Sequence, residues 1–230
     1  MMPGAADLRI SVVIPALDEA ACIDATLTAL EPLRARGHEV IVVDGGSRDD
    51  TVARAAPGAD IVMNGPRGRA RQMNAGAAGA GGGILLFLHA DTLLPAGADE
   101  AVLQALAGGA GWGRFDVRIE GRPSMLRAVS ALMNLRSRFS GIATGDQALF
   151  VRRQVFERLG GFPDQPLMED VEMSRRLLST GAPACLRQRV VTSGRRWETH
   201  GVWRTIFLMW RLRWRYWRGA APEALARAYE

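Results

Sequence analysis

Four short segments gather most of the side chains able to do chemistry: Pro15-Ala16-Leu17-Asp18-Glu19, Asp44-Gly45-Gly46-Ser47-Arg48-Asp49, His89-Ala90-Asp91 and Glu169-Asp170. The first three follow apolar β-branched or leucine-rich runs, and the fourth opens a helical pattern. A carboxylate at such a junction can hold a divalent cation, offset a helix dipole or take up a proton. Asp91 fits the first use, because hard oxygen ligands suit Mg2+ or Mn2+ and those ions keep positions open for phosphate oxygens. His89 either joins Asp91 as a ligand, contacts the bound molecule or packs. Glu169 and Asp170 fit proton transfer or simple capping of their helix, and Glu19 is divided in the same way between site and dipole. Arg69, Arg71, Arg195 and Arg196 offer guanidinium forks matched to phosphate, although a single exposed arginine is more often a solvated charge.

These residues need rigid elements to aim them. The first half alternates short apolar runs with alanine-rich segments, the pattern of βα units and a mainly parallel sheet. Strands are predicted over Arg9–Ile14, Glu39–Val43, Asp60–Asn64 and Ile84–Leu88, with helices over Glu19–Leu30, Asp49–Ala55 and Ala70–Ala78. Asp18 and Ser47 are placed as helix N-caps, and Gly37 and Gly58 as turn closers. The second half is less regular, with helices over Val102–Leu106, Ser124–Phe139 and Met168–Ser179 and strands over Gly113–Ile119 and Ala148–Val151. Gly76–Gly83 precedes a strand, the reverse of a dinucleotide fingerprint, and reads as a flexible turn.

Composition removes several classes of function. All 29 basic residues of the 230 are arginine, so a P-loop, a pyridoxal Schiff base and a protein-kinase site, each built on lysine, are excluded. Cys22 and Cys185 are far apart and outside any CxxC pattern, which predicts neither a disulfide framework nor structural zinc. No signal-peptide pattern and no apolar run of about 20 residues is found, so a cytoplasmic location is expected, with any membrane contact peripheral and on the inner face. The whole chain carries +5, yet residues 187–218 hold nine arginines against the single acid Glu198. That end calls for an anionic partner.

The combination VVIPALDEA, VIVVDGGSRDDT, LLFLHADTLLP, GDQALFVRR and MEDVEMSRRL resembles family 2 glycosyltransferases with a GT-A fold, over roughly residues 8–180. GRARQMNAG and SGRRWETHGVWRT further resemble the radical-SAM/selenodomain-associated transferase 2 subfamily, for some members of which arsenosugar biosynthesis is proposed. The resemblance implies an α/β GT-A domain over residues 1–200. Residues 201–230 would form a basic aromatic helix and tail packed on that domain, a partner chain or a membrane. It also implies an inverting, metal-assisted transfer of a sugar from a nucleotide diphosphate, favoured as UDP-type, to a hydroxyl on a small-molecule or lipid-linked acceptor. In that scheme Pro15, Ala16 and Leu17 hold base and ribose, Asp44 accepts from the base, and Arg69 or Arg71 holds base or phosphate, with Gln72 and Asn74 supporting that loop. Ala90 and Asp91 meet the donor, Arg195 and Arg196 close over the diphosphate, and Trp197 stacks on sugar or acceptor. Gly145, Asp146 and Gln147 lie beneath sugar and acceptor, and Asp170 is the base. The usual Asp-x-Asp is here His89-Ala90-Asp91, and His200 is a candidate third metal ligand or a surface histidine.

Trp203, Phe207, Trp210, Trp214 and Trp217 form one helical stripe among Arg204, Arg211, Arg215 and Arg218. It reads as packing against the chain's own domain, as a homodimer seam, or as contact with an anionic membrane. Two competing functions remain. A nucleotidyltransferase should carry a glycine-rich basic loop after the first strand, where PALDEA stands instead. A nonenzymatic basic module for membrane or nucleic acid leaves Asp44, Asp91 and Asp170 without purpose, so no nucleic acid is expected.

Overall fold

The computed structural model describes residues 8–229; residues 1–7 and 230, the outer ends of the two expected segments, lie outside the described residues. Strands β1 (Ile10–Ala16), β2 (Glu39–Asp44), β3 (Ile61–Asn64) and β4 (Ile84–Phe87) are mutually parallel and joined through helices α1 (Ile23–Ala35), α2 (Thr51–Ala55) and α3 (Arg69–Gly79). The apolar runs of β1, β2 and β4 follow from burial on both faces, whereas β3, at the sheet edge, is only half-buried. Along β1, Ile10, Val12 and Ile14 enter one core and Val13 the other. Helix α3 can lie this close to the sheet because position 76 is glycine: a Cβ there would collide with Val13 and Val43. Gly76 is therefore a packing residue inside a helix, not part of a flexible turn.

The second half adds β5 (Thr92–Leu93), α4 (Ala98–Ala107), β6 (Trp112–Glu120), α5 (Leu126–Ser140), a 3-10 turn at Gly145–Gln147, β7 (Phe150–Arg152) and α6 (Arg153–Arg158). It continues with α7 (Glu169–Leu178), β8 (Ala184–Ser193), α8 (Arg195–His200), α9 (Val202–Trp217) and α10 (Pro222–Tyr229). One eight-stranded sheet results, in the order β3-β2-β1-β4-β7-β6-β8-β5. Strand β7 is antiparallel to β4 and β6, β5 is antiparallel to β8, and β6 and β8 are parallel. This is the mainly parallel α/β architecture expected, with its C-terminal amphipathic helix.

Several expectations change at the loops. Asp18 and Ser47 do not cap helices; Cys22 and Asp50 stand at those N-cap positions. Asp18 instead accepts from the Arg48 N–H (2.7 Å) and its own N–H donates to Ser47 Oγ (2.9 Å), so the loops after β1 and β2 are stitched together. Strand β8 was not anticipated at all.

Helices α9 and α10 pack on each other and on the domain. Leu212 and Leu225 are fully buried in a small cluster with Met168, while Val202 and Ile206 rest against the main core. Each buried leucine contributes about 2 kcal/mol, enough to hold a helix pair in place. The aromatic stripe faces outward: Trp203, Phe207, Trp210, Trp214 and Trp217 are 57–80% exposed. It does not pack on its own domain.

Candidate active site

The turn carrying Asp91 joins β4 to β5 and is fixed from two sides. Thr26 Oγ1 on α1 donates to the Ala90 carbonyl (2.7 Å), and Thr92 Oγ1 donates to Thr192 Oγ1 on β8 (2.9 Å). Asp91 thus stands at a strand end, where open α/β sheets bind ligands. It lines a cleft of about 280 Å3 together with Pro15, Glu19, Arg69, His89, Ala90, Gly145, Asp146, Glu169, Asp170, Arg195, Arg196 and Trp197. Thirteen residues singled out in the sequence therefore meet in one place.

The cleft has two ends. At the Asp91 end, Arg195 pairs with Glu19 (3.1 Å). Burial raises the Asp91 carboxyl above the usual range; His89 and Arg195 oppose this, and Asp146 and Glu19 add to it. A cation is the ligand that would relieve it. Among the described residues no group of three or more His, Cys, Asp or Glu side chains is arranged to hold a metal. The donor set, one strand-end carboxylate opening on a cleft, fits Mg2+ or Mn2+, which take one or two carboxylates and fill the remaining positions with water and substrate phosphate. It does not fit a closed structural site.

At the other end, the Gly145 N–H donates to Asp170 Oδ2 (2.7 Å), and the Val171 N–H to Oδ1 (2.7 Å). Asp170 sits in the first turn of α7, whose N-cap Met168 is held in the left-handed region at φ 66°. Beside it Glu169 is buried at 3% exposure, and burial together with the Asp170 charge pushes its carboxyl up to about 6, against the pull of Arg69 at 3.7 Å. Burial alone would raise Asp146, but His89 (Nδ1 to Oδ1, 3.4 Å), Arg69 and Arg213 hold it below the usual range. The opposite edge of the His89 ring lies against Gly145, where any Cβ would collide with it, and Nε2 is buried without a partner. His89 is thus turned to the Gly145-Asp146 turn, with no nitrogen directed to a site shared with Asp91.

Other residues stand elsewhere. His200 lies in a second cleft with Arg204 and Phe207, its Nδ1 3.2 Å from the Arg196 carbonyl, and is not brought to Asp91. Arg71 forms a surface pair with Asp164 (2.6 Å). Gln147 is fully buried and closes the capping box of its 3-10 turn through Thr144. Ala16 is buried, its carbonyl accepting from Gln72 Nε2 (2.8 Å), and Leu17 is in the adjoining bend, half-buried. Asp44 is 3% exposed, and its carboxylate accepts from the Gly46 and Ser47 N–H groups (2.9 and 3.0 Å) and from the Ser47 hydroxyl. Asn74 brackets Phe162 with two hydrogen bonds of 2.9 Å. The sequence reading missed Arg213, Thr192, Ser193, Met209 and Tyr229, which also line the main cleft. Arg213 carried one available signal: at 100° per residue it falls on the opposite flank of α9 from Arg204, Arg211, Arg215 and Arg218.

Comparison with known proteins agrees with this arrangement. The family model described as glycosyl transferase family 2 matches residues 11–160. A probable glycosyltransferase, YdaM of Bacillus subtilis, is 28% identical over 236 residues, covering 92% of this chain and 55% of the relative. The chain thus spans about half the length of that relative. The mannosyltransferase PcManGT from Pyrobaculum calidifontis, solved with GDP-Man and Mn2+, superposes with a TM-score of 0.64 at 24% identity, covering 96% of this chain and 68% of that one. Glucosyl-3-phosphoglycerate synthase from Mycobacterium tuberculosis, solved with Mg2+ and UDP, gives 0.55 at 26% identity, covering 80% and 70%. By its sheet, its strand-end Asp91 and the match over most of the sheet-forming sequence, this chain belongs to glycosyl transferase family 2.

Proposed function

We propose that the protein transfers a sugar from a nucleoside diphosphate to an acceptor hydroxyl, with inversion at the anomeric carbon. The observation that carries this reading is the convergence of Asp91, from the β4–β5 turn, and Asp170, from the first turn of α7, on one cleft, with Arg195 at one end and Asp146 at the other. The diphosphate lies at the Asp91 end, where Arg195 and Arg196 supply the guanidinium forks. Pro15 and Glu19 edge the donor, and Asp44 fixes the loop after β2 on which the base rests. Asp170 takes the acceptor proton from the face opposite the diphosphate, while its hydrogen bond from Gly145 keeps the carboxylate aimed. Asp146 and Trp197 position sugar and acceptor. Asp91 would hold a Mg2+ or Mn2+, which would supply positive charge to the leaving diphosphate. The narrower likeness to the radical-SAM-associated subfamily rests on GRARQMNAG and SGRRWETHGVWRT and points to a small-molecule acceptor.

Thermal unfolding with UDP and GDP, with and without Mn2+, tests the reading on wild type and Asp91→Ala. A ligand present at 100 times its Kd stabilises the folded state by about 2.7 kcal/mol. Metal-dependent stabilisation by one nucleotide, lost in the variant, is expected; no response to either nucleotide overturns the assignment.

A second observation concerns where the protein works. The five exposed aromatics of α9 are flanked by Arg204, Arg211, Arg215 and Arg218, and no helix among the described residues is long and apolar enough to cross a membrane. This combination fits the headgroup layer of an anionic membrane. Cosedimentation with vesicles rich in phosphatidylglycerol but not with neutral ones, reversed by salt, is expected. A concentration-dependent dimer that hides the tryptophans instead would assign the stripe to a second copy.

A further inference from the structure

A second cleft, of about 510 Å3, lies between α8, α9 and α10, outside the one that holds Asp91 and Asp170. Arg204, Phe207, Leu208 and Arg211 line it from α9; spaced i, i+3, i+4 and i+7, they share one face of that helix. Helix α8 adds Arg196 and His200, and α10 adds Tyr229. Three guanidiniums thus open on one cavity, and no aspartate or glutamate among the described residues lines it. The main cleft differs, since there Glu19 pairs with Arg195 at 3.1 Å and Glu169 stands 3.7 Å from Arg69.

Arg196 is the fixed member of the three. Its guanidinium lies over the Tyr229 ring, 3.6 Å from the centroid, one terminal nitrogen donates to the Tyr229 carbonyl (2.8 Å), and Nε is buried without a partner among the described residues. Arg196, Thr205 and Tyr229 line both clefts and so form the wall between them. Arg204 and Arg211 are exposed. One guanidinium held in place and two free to turn suit an anion with several oxygens, because each fork directs parallel N–H groups to adjacent oxygens. The apolar lining says which kind of anion. Phe207 belongs both to this cleft and to the outward stripe, where it is 62% exposed and lies 6.5 Å, between ring centroids, from Trp203 and from Trp210. A free phosphate has no use for that apolar continuation, whereas the acyl end of a lipid does.

We propose that this cleft binds the headgroup phosphate of an anionic phospholipid, with Arg196, Arg204 and Arg211 on the phosphate and Phe207 against the start of the acyl chains. This rests on the reading of the stripe as a membrane contact and deepens it, by placing a stoichiometric site where that reading has only a diffuse attraction between arginines and headgroups. The shared wall means that a lipid held there keeps the catalytic cleft at the bilayer surface.

Calorimetric titration of the full chain with dihexanoyl phosphatidylglycerol, kept below its micelle concentration, tests the site without a membrane. Wild type should bind this lipid roughly tenfold or more tightly than glycerol phosphate or dihexanoyl phosphatidylcholine. The double variant Arg204→Gln/Arg211→Gln should bind it roughly tenfold or more weakly, whereas Arg215→Gln/Arg218→Gln, which removes two charges from the same end of the chain outside the cleft, should stay within about twofold of wild type. Equal weakening in both double variants overturns the site in favour of diffuse charge. Glycerol phosphate bound as tightly as the lipid assigns the cleft to free phosphate, and phosphatidylcholine bound as tightly makes it an apolar groove; either result overturns the proposal. So does a lack of short-chain lipid binding, even where vesicles rich in phosphatidylglycerol bind. Short-chain lipid bound in the expected pattern with no vesicle binding upholds the site and faults only the membrane reading of the stripe, which keeps the two apart. Arg204 and Arg211 are exposed, so the double variant should keep the wild-type Tm. Should it fall, Arg204→Gln and Arg211→Gln carry the test singly, each expected to weaken lipid binding by roughly threefold.

Discussion

Two charge clusters, one between β6 and α5 and one in the cleft, differ in completeness. Arg138 donates to Asp116 (2.7 Å), which also pairs with the fully buried Arg114, and Arg114 reaches the Asn134 carbonyl (3.3 Å). In the cleft, Glu169 has Arg69 at 3.7 Å, Asp146 has His89 at 3.4 Å, and Asp170 is held by the Gly145 and Val171 N–H groups, with Arg213 on the same lining. The first cluster is closed and holds β6 to α5. The second opens on the cleft, and its buried, shifted carboxylates mark the place where a ligand belongs.

Changing the open cluster should affect chemistry first. Asp170→Asn keeps an acceptor for the Gly145 N–H but cannot take up a proton, so turnover should fall by roughly 10²–10⁴. Nucleotide affinity, measured by calorimetry, should be unchanged; a loss of both together would make Asp170 a structural residue. Changing the closed cluster should affect the fold first. Asp116→Ala strands Arg114 in the interior and should cost about 3–5 kcal/mol in urea unfolding, the penalty for breaking a buried pair. An effect below 1 kcal/mol would show that the triad is not closed.

A smaller effect separates the clusters by pH. Glu169 has a folded-state pKa near 6 against an ordinary 4.5, so the folded protein binds more protons than the unfolded chain between those values. Stability contributed by this group is therefore greatest at low pH and falls as pH rises through that window, by about 2 kcal/mol in all. Glu169→Gln should remove the fall and raise the Tm at pH 7. Equal pH profiles for variant and wild type would contradict the burial of its charge.

Legibility in the sequence followed the same division. The parallel half was readable because β1, β2 and β4 are buried on both faces and leave unbroken apolar runs, with their functional residues at the ends. Strand β8 was not, because Arg187, Gln188 and Arg189 are exposed and a register shift opposite Phe115 and Asp116 breaks the alternation that marks a strand. Asp91, Asp170 and Arg195 could be placed by their local positions. His200 could not, since six residues of α8 turn it to the far side of Arg196. Arg213 was missed because it reaches the cleft only once α9 has docked on the domain through Val202, Ile206 and Leu212.

Helix α9 repeats the contrast between closed and open surfaces within sixteen residues. Its inner face is closed: Leu212 is fully buried against Met168 and Leu225, and its outer face leaves Trp210 65% exposed. Truncating Leu212 to alanine opens a cavity and should cost about 2–5 kcal/mol. Trp210→Ser removes more atoms yet touches little of its own chain, so stability should change by no more than about 0.5 kcal/mol in the same urea titration. If Trp210→Ser instead destabilises by as much as Leu212→Ala, and does so only at high protein concentration, the outer face is covered in solution by another copy, since a contact made between chains weakens on dilution whereas one made within a chain does not.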